Sequence, residues 1–63
     1  MDEQDYYSSK VVDLLKAEPA TVSQLSVDLD KDTKYVLGIL DGLVRKGRCL
    51  ENSGMYSPRE MNS

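Results

Sequence analysis

A single cysteine, Cys49, and the absence of histidine limit what can hold a chain of 63 residues together. A domain this small buries little apolar surface, and many domains of this size depend on disulfides or a metal. One cysteine cannot form an internal disulfide. A zinc site built from cysteine and histidine is excluded, as is a cysteine–histidine nucleophile pair. The fold must therefore be stabilised by packed helices, by an oligomer or by a partner.

Charge and hydropathy narrow the class of protein. No apolar run approaches the roughly 20 residues of a membrane span, and the acidic start MDEQDYY is unlike a signal peptide. We therefore expect a cytoplasmic protein with no membrane partner. Residues 1–30 carry seven acidic and two basic side chains, a net charge of −5, and residues 31–63 carry four and six, a net of +2. This split is either ordinary surface charge, which we favour, or a two-faced molecule.

The N-terminal part of the chain carries one apolar stripe at helical spacing. Apolar side chains recur at i, i+4, i+7 and i+8 from Tyr7. Acidic residues precede the stripe, where negative charge suits a helix N-terminus, and Pro19 disfavours helical geometry at the residue before it. These signals predict a helix from about Asp5 to about Ala17, preceded by a disordered segment over residues 1–5. The stripe comprises Tyr7, Val11, Leu14 and Leu15.

A second and a third helix are predicted downstream. Thr21, followed three residues later by Gln24, has the form of a capping box, in which each side chain bonds the backbone N–H of the other residue. The apolar residues behind it predict a short helix that ends near Asp30. Asp32 then offers an N-cap for a longer helix that stops at Gly47. The stripe of this third helix comprises Val36, Ile39, Leu40 and Leu43, with Leu37 and Val44 on its flank.

After Gly47 the pattern changes from helical to alternating. Two short runs, residues 48–51 and 55–57, flank the Asn-Ser-Gly sequence at residues 52–54. This arrangement predicts a hairpin with a turn at its tip, and Pro58 is expected to end its second strand.

Alternation sets the side-chain directions of the hairpin only in part. Tyr56 is expected to point inward because it is the only large ring in the segment, whereas the pattern leaves open whether Cys49 or Leu50 is buried. One domain is therefore predicted over residues 6–57, and residues 58–63 are predicted to form a flexible tail.

This order of elements, mostly α with a small β-hairpin, resembles the winged helix-turn-helix family. The resemblance implies a three-helix winged helix-turn-helix fold in which the third helix enters the major groove of DNA. The hairpin, or wing, would lie along the backbone or the minor groove. The likeness covers nearly the whole chain. Its carrying segments are T-V-S-Q-L-S-V-D-L at 21–29, the turn D-K-D at 30–32, V-x-x-I-L-x-x-L-V-x-x-G at 36–47 and the hairpin through Tyr56.

The resemblance implies a small DNA-binding transcriptional regulator that contacts duplex DNA through helix 3 (about 32–46) and the wing (about 48–57). Side chains in the first turn of helix 3 reach base edges or phosphates, and basic residues near its end contact phosphates beside the duplex. Polar residues at the wing tip donate to phosphate. The implied DNA-binding residues are Lys34, Tyr35, Gly38, Arg45, Lys46, Arg48, Asn52 and Ser53.

The low pI, the acidic first helix and the glycines at 38 and 42 favour a protein partner instead. The sequence pI is near 4.7, whereas DNA-binding domains usually carry a clearer basic patch. Asp41 and Arg45 have the i, i+4 spacing of an exposed ion pair, which would occupy Arg45. The alternative function is therefore a winged-helix protein-interaction module that binds no DNA. Its binding would depend little on salt, whereas DNA binding weakens steeply as salt rises.

Gly38 and Gly42 lie inside the predicted third helix, where each costs about 1 kcal/mol relative to alanine. Either the helix merely tolerates them, or a sugar-phosphate chain or a partner helix approaches its backbone there. We favour close approach at both positions. A homodimer would double the number of DNA contacts, and Tyr6 and Tyr7 are candidates for its interface.

Asp28, Asp30 and Asp32 match positions 1, 3 and 5 of a calcium-binding EF-hand loop. That loop also needs glycine at position 6 and glutamate at position 12, where this chain has Thr33 and Ile39. We therefore predict no metal site. The chain also lacks a glycine-rich phosphate loop and a cysteine–base pair, so we predict no enzymatic activity and no cofactor.

Overall fold

The structure is a computed structural model that describes residues 2–59 as three helices and a small antiparallel sheet. Helices account for 62% of these residues, so the predicted fold class, mostly α with a small hairpin wing, is confirmed. The elements in chain order are α1 (Glu3–Ala17), β1 (Ala20–Thr21), α2 (Val22–Leu29), α3 (Thr33–Arg45), β2 (Cys49–Asn52) and β3 (Met55–Pro58).

The core lies where one side of α3 meets α1, α2 and the sheet. All four residues of the predicted α3 stripe are buried. In α1, Val11 and Leu15 are buried, and Tyr7 and Leu14 pack against the core from its edge. Val12 is also buried although it lies outside the predicted stripe, because α1 packs against β3 as well as against the other helices.

The sheet has the strand order β1-β3-β2, with both pairs antiparallel. The hairpin of β2 and β3 was predicted, but β1 was not, because two residues are too short to show alternation. Ala20 of β1 pairs with Tyr56 and is buried. β3 is therefore paired on both sides, and β2 is left as an edge strand.

The hairpin register settles which side chains face the core. Cys49 is 1% exposed and Leu50 is 50% exposed, so Cys49 is the inward residue. Tyr56 packs against the core from its edge, as predicted. Glu51 pairs with Tyr56 across the strands, and the next pair on the same face is Cys49 with Pro58.

α2 and α3 both begin where the sequence predicts. The predicted capping hydrogen bonds of their first residues are formed only in part. The backbone N–H of Gln24 donates to Thr21 Oγ1 at 3.2 Å. The Gln24 side chain instead donates to Asp28 at 3.4 Å, so the capping box is only half formed. Asp32 occupies the N-cap of α3, but its side chain makes no capping hydrogen bond.

Two left-handed residues end α2 and α3 and set the direction of the chain after each helix. Asp30 has φ 55° and Gly47 has φ 75°; aspartate tolerates this region better than most side chains, and glycine adopts it freely. After Gly47 the N–H of Arg48 donates to the carbonyl of Leu43 at 2.8 Å, which closes the helix with a Schellman-type bond. The predicted stop at Gly47 is therefore confirmed.

Both ends of the domain differ from the predicted boundaries. α1 begins at Glu3, so residues 3–5 form its first turn and do not precede it as a disordered segment; the Glu3 carboxylate anchors that turn through contacts described below. Pro58 belongs to β3, and the N–H of Arg59 donates to the carbonyl of Arg48 at 2.9 Å. Residues 60–63 of the predicted tail lie outside the described part of the chain.

None of the helices formed by residues 2–59 has the length and apolar character needed to cross a membrane.

Candidate nucleic-acid interface

The side of α3 that faces away from the core, its outer face, is exposed and borders the hairpin. An open groove of about 430 Å³ lies between this face and β3, and we call it the α3 groove. Its apolar part includes Leu37, which is 48% exposed. The groove joins one helix and the wing, the two elements to which the resemblance assigns DNA contacts. It is lined by Lys34, Leu37, Gly38, Asp41 and Tyr56.

The groove carries charges of both signs. Asp41 Oδ2 lies 3.2 Å from Arg45 Nε, so the predicted i, i+4 ion pair is confirmed. Both side chains are exposed, and such a pair contributes only about 0.3–0.5 kcal/mol to stability. Lys34 forms no ion pair within residues 2–59. A phosphate near the groove would therefore meet one unpaired cation, one paired cation and one carboxylate.

Neither Gly38 nor Gly42 is required by packing inside the chain. Apart from the chain neighbours and the helix's own backbone, no atom of residues 2–59 lies within 4 Å of a Cβ placed at either position. The fold would therefore accept alanine at both sites and gain helix stability from it. Close approach by an external partner stays a prediction, and the open space at both glycines is compatible with it.

Tyr35 lies on the α1 side of α3 and not in the α3 groove. Its hydroxyl donates to Glu3 Oε2 at 3.1 Å, and its ring meets the Tyr7 ring edge to face at 5.7 Å between centroids. Partial burial, with a further contribution from the hydrogen-bonded Glu3 carboxylate, raises the pKa of Tyr35. Successive helix residues are about 100° apart around the helix axis. Tyr35 and Lys34 therefore lie on different sides of α3 and do not face the same surface.

Lys31 completes a group that we call the tyrosine–lysine cluster, formed by Glu3, Tyr7, Lys31 and Tyr35. Its Nζ lies 5.0 Å from the Tyr7 ring centroid, 5.4 Å from that of Tyr35 and 3.7 Å from Glu3 Oε2. Cation–π contacts of this kind contribute about 0.5–1 kcal/mol at exposed sites. The cluster ties the turn before α3 to the start of α1. The sequence held no signal for it, because its members are up to 32 residues apart.

The two candidate dimer residues have different environments. Tyr7 belongs to the tyrosine–lysine cluster and packs against the core. Tyr6 is exposed, meets the Tyr7 ring edge to face at 5.1 Å, and has Lys10 Nζ 5.6 Å from its own ring centroid. Tyr6 is therefore the more accessible of the two, and the homodimer stays a prediction.

The wing tip is a tight two-residue turn. Ser53 and Gly54 both have positive φ, 54° and 85°, as a type I′ hairpin turn requires. The N–H of Gly54 donates to Glu51 Oε2 at 2.7 Å. Asn52 and Ser53, for which the resemblance implies hydrogen bonds to phosphate, are both exposed. The Glu51 carboxylate beside them would repel a phosphate.

Two further groups of the hairpin have raised pKa values. Burial raises the pKa of the Tyr56 phenol, and the carboxylates of Glu51 and Asp41 add to the effect. Burial also raises the pKa of the Cys49 thiol, and the neighbouring Arg48 charge partly offsets this. Cys49 is thereby held in the thiol form, which is not the nucleophilic form of cysteine.

Three further basic side chains lie where α3 ends and the hairpin begins. Lys46 and Arg48 are exposed there, as the resemblance implied. Arg59 joins them from the other strand, because its N–H bonds to Arg48 and its Nη1 lies 3.5 Å from the position of a Cβ on Gly47. Sequence reasoning missed Arg59 because Pro58 was expected to end the ordered domain. Extending the hairpin register by one pair past Pro58 would have placed Arg59 opposite Arg48.

The three aspartates of the partial EF-hand pattern have separate structural positions. Asp28 accepts a hydrogen bond from Gln24, Asp30 is the left-handed residue that ends α2, and Asp32 is the N-cap of α3. Within residues 2–59 no three histidine, cysteine, aspartate or glutamate side chains come together as a metal-ligand set.

Comparison of the chain with protein-family models, with curated proteins and with solved structures finds no match. The geometry defines the class of this protein as a small helix-rich domain with a hairpin wing. Membership of the winged helix-turn-helix family stays a prediction from the sequence.

Proposed function

We propose that this chain is a small winged-helix protein that binds duplex DNA through α3 and the hairpin and acts as a transcriptional regulator. The observation that carries the proposal is where the exposed basic side chains lie. Residues 1–30 have a net charge of −5, so a polyanion would be repelled from that part of the molecule. The exposed cations of α3 and the hairpin region are Lys34, Arg45, Lys46, Arg48 and Arg59.

The shape of α3 supports the same function. An α-helix with its side chains is about 10–12 Å wide, close to the roughly 12 Å width of the DNA major groove. No other element within residues 2–59 covers the outer face of α3, and the glycines at 38 and 42 make the helix narrower there. The helix is therefore suited to approach a groove closely, with the wing beside it.

Individual contacts are proposed from this placement. Lys34 would reach a base edge or a phosphate, and the wing-tip residues Asn52 and Ser53 would donate to the backbone. Tyr35 is left out because its hydroxyl is already bonded to Glu3. One copy offers about five cations, fewer than the 6–10 phosphate contacts of a strongly salt-dependent binder. The proposal therefore includes a homodimer.

The test is an NMR titration of isotope-labelled protein with random-sequence duplex DNA at low salt, repeated at high salt. The proposal predicts shifts at Lys34, Gly38 and the 52–54 tip that fade as salt rises, because released counterions drive the binding. If no chemical-shift changes appear at low salt, the proposed binding of duplex DNA is contradicted.

Two substitutions of opposite sign sharpen the test. Lys34→Gln should weaken binding and lower the salt slope by about 0.9. Asp41→Asn should strengthen binding, because it removes a repelled carboxylate and releases Arg45 from its ion pair. Lys10→Gln is the matched control, since it removes one exposed charge from α1 and should change affinity less than Lys34→Gln. Equal effects at positions 34 and 10 would show that net charge alone is responsible.

A protein-interaction module is the second candidate, and the α3 groove favours it. Leu37 and Tyr56 give the groove an apolar part, and Asp41 provides a hydrogen-bond acceptor that suits a polypeptide better than DNA. If this function is correct, duplex DNA causes no shifts. Leu37→Ala would then weaken binding of the partner with little dependence on salt.

A further inference from the structure

Two arginines face each other at the open end of the hairpin, away from the tip. The last pair of the ladder is Cys49 with Pro58, and the hydrogen bond from Arg59 N–H to the Arg48 carbonyl, at 2.9 Å, continues it by one step. Directly opposed residues in an antiparallel pair have Cα atoms about 4.5–5.5 Å apart. Alternation directs both arginines to the face opposite the one that buries Cys49.

Opposed like charges of this kind are unfavourable in an isolated domain. Neither arginine forms an ion pair within the part of the chain that the structure describes. Lys46 adds further positive charge at the same end of α3, whereas Arg45 is paired with Asp41.

The C-terminus of α3 offsets only part of this charge. A helix C-terminus supplies the equivalent of about −0.5 charge, against the three cations Lys46, Arg48 and Arg59, since Arg45 is already paired with Asp41. Its last carbonyls are also occupied in part, because the N–H groups of Lys46, Gly47 and Arg48 already donate to them. The surplus positive charge therefore calls for an anion from outside the described chain.

We propose that Arg48 and Arg59, supported by Lys46, form a clamp for one phosphodiester group of a nucleic-acid backbone. We call these residues the arginine clamp. Guanidinium groups bind phosphate oxygens with charge-assisted and often paired hydrogen bonds. Two of them on adjacent strands can each bind one non-bridging oxygen of the same phosphate. The identity of the anion rests on the proposed DNA-binding function, whereas the clamp itself rests on the hairpin geometry.

The strand ladder holds the clamp in position. The backbone hydrogen bond between Arg59 and Arg48 limits the distance between the two Cα atoms. Arg59 Nη1 lies 3.5 Å from the position of a Cβ on Gly47, which is a van der Waals distance. The exposed Arg59 side chain therefore reaches the residue that lies between Lys46 and Arg48 in the chain. The clamp adds a second anchoring point for the backbone, separate from the α3 groove.

The test measures duplex-DNA affinity as a function of salt for the full chain and for Arg48→Gln, Arg59→Gln and the control Lys10→Gln. Each clamp substitution should lower affinity and reduce the salt slope by about 0.9, and the control should not. Arg59→Lys should recover only part of the affinity lost in Arg59→Gln, because an ammonium group keeps the charge but is more strongly hydrated and lacks the planar donor geometry of guanidinium. Thermal unfolding checks that each variant is folded.

A second measurement separates failure of the clamp from failure of DNA binding. Inorganic phosphate is titrated into labelled protein and compared with sodium chloride at the same ionic strength, with the arginine Nε–H signals as the readout. If wild-type protein binds DNA and Arg59→Gln leaves the salt slope unchanged, the clamp is overturned. If wild-type protein binds no DNA, the proposed function fails. The phosphate titration then decides whether the arginine clamp binds anions. Shifts at Arg48 and Arg59 with phosphate alone then support an anion clamp, and equal responses to both salts overturn it.

Discussion

The two sides of α3 differ in how many partners the fold gives to each side chain. On the inner side Val36 and Leu40 are fully buried, and Tyr35 is held by Glu3 and Tyr7. On the outer side Lys34, one residue before Tyr35, has no ion pair within the described chain, and Leu37 is about half exposed. One helix therefore contains both side chains that the fold engages and side chains that it leaves exposed.

This difference shows that residue type is a poor guide to function in α3. A tyrosine suits DNA contact as well as a lysine does, but the structure engages the Tyr35 hydroxyl internally. A leucine suits the core, but Leu37 lines the α3 groove while Leu40 is buried. Position on the helix decides which of the two roles each residue has.

The largest expected effect compares the two leucines directly. Leu40→Ala should lower the free energy of unfolding by about 2–5 kcal/mol, because it leaves a cavity among fully buried side chains. Leu37→Ala should change it by no more than about 0.5 kcal/mol. Urea unfolding followed by circular dichroism measures both. Equal losses at the two positions would mean that α3 does not have distinct inner and outer sides.

A smaller effect, of opposite sign, is expected on the outer side. Gly38→Ala should raise the free energy of unfolding by up to about 1 kcal/mol, because alanine favours the helix and its Cβ meets no packed atom in the described part of the chain. The same substitution should weaken DNA binding if the backbone is closely approached. Gly42→Ala provides the matched comparison. A gain in stability with unchanged affinity in both variants would show that the glycines are only tolerated.

Local sequence signals predicted most of the fold. The apolar stripe of α3, the Thr21 cap and the Gly47 stop all depend on residues within about four positions of each other, and all three are confirmed. The Asp41–Arg45 pair belongs to the same category. Helix periodicity and helix ends are decided by the chain's own neighbours, so a single sequence contains the information.

Contacts between distant segments could not be predicted in the same way. Glu3 and Tyr35 are separated by 32 residues, and neither has a neighbour that indicates the other. β1 is defined only by its pairing with β3, and the clamp residue Arg59 only by its pairing with Arg48. For the candidate site, the sequence assigned DNA contacts to the third helix and the hairpin, and this assignment stays a prediction. The sequence did not show that Tyr35 points to α1 or that Arg59 stands beside Arg48.

The smallest expected effect tests whether Tyr35 belongs to the inner side. Its pKa is raised in the folded protein, so the folded state holds the phenolic proton more tightly than the unfolded state does. Its contribution to stability is fully present below the unfolded pKa of about 10 and is lost as pH rises through the higher folded value. Tyr35→Phe should therefore lower the melting temperature near neutral pH by less than Leu40→Ala does. Tyr35→Phe should also reduce the further fall of the melting temperature above a pH of about 10.

Tyr56 supplies the control for this titration, because its pKa is raised as well. Part of the loss of stability at alkaline pH should therefore persist in Tyr35→Phe and disappear only when Tyr56→Phe is combined with it. Duplex-DNA affinity provides the decisive comparison between the two sides of α3. If Tyr35→Phe loses stability and keeps its affinity for DNA, the phenol serves the fold. If it keeps its stability and loses affinity, the hydroxyl leaves Glu3 to contact DNA. Tyr35 would then belong with Lys34 on the binding side, and the division of α3 into an inner and an outer side would have to be redrawn at its first turn.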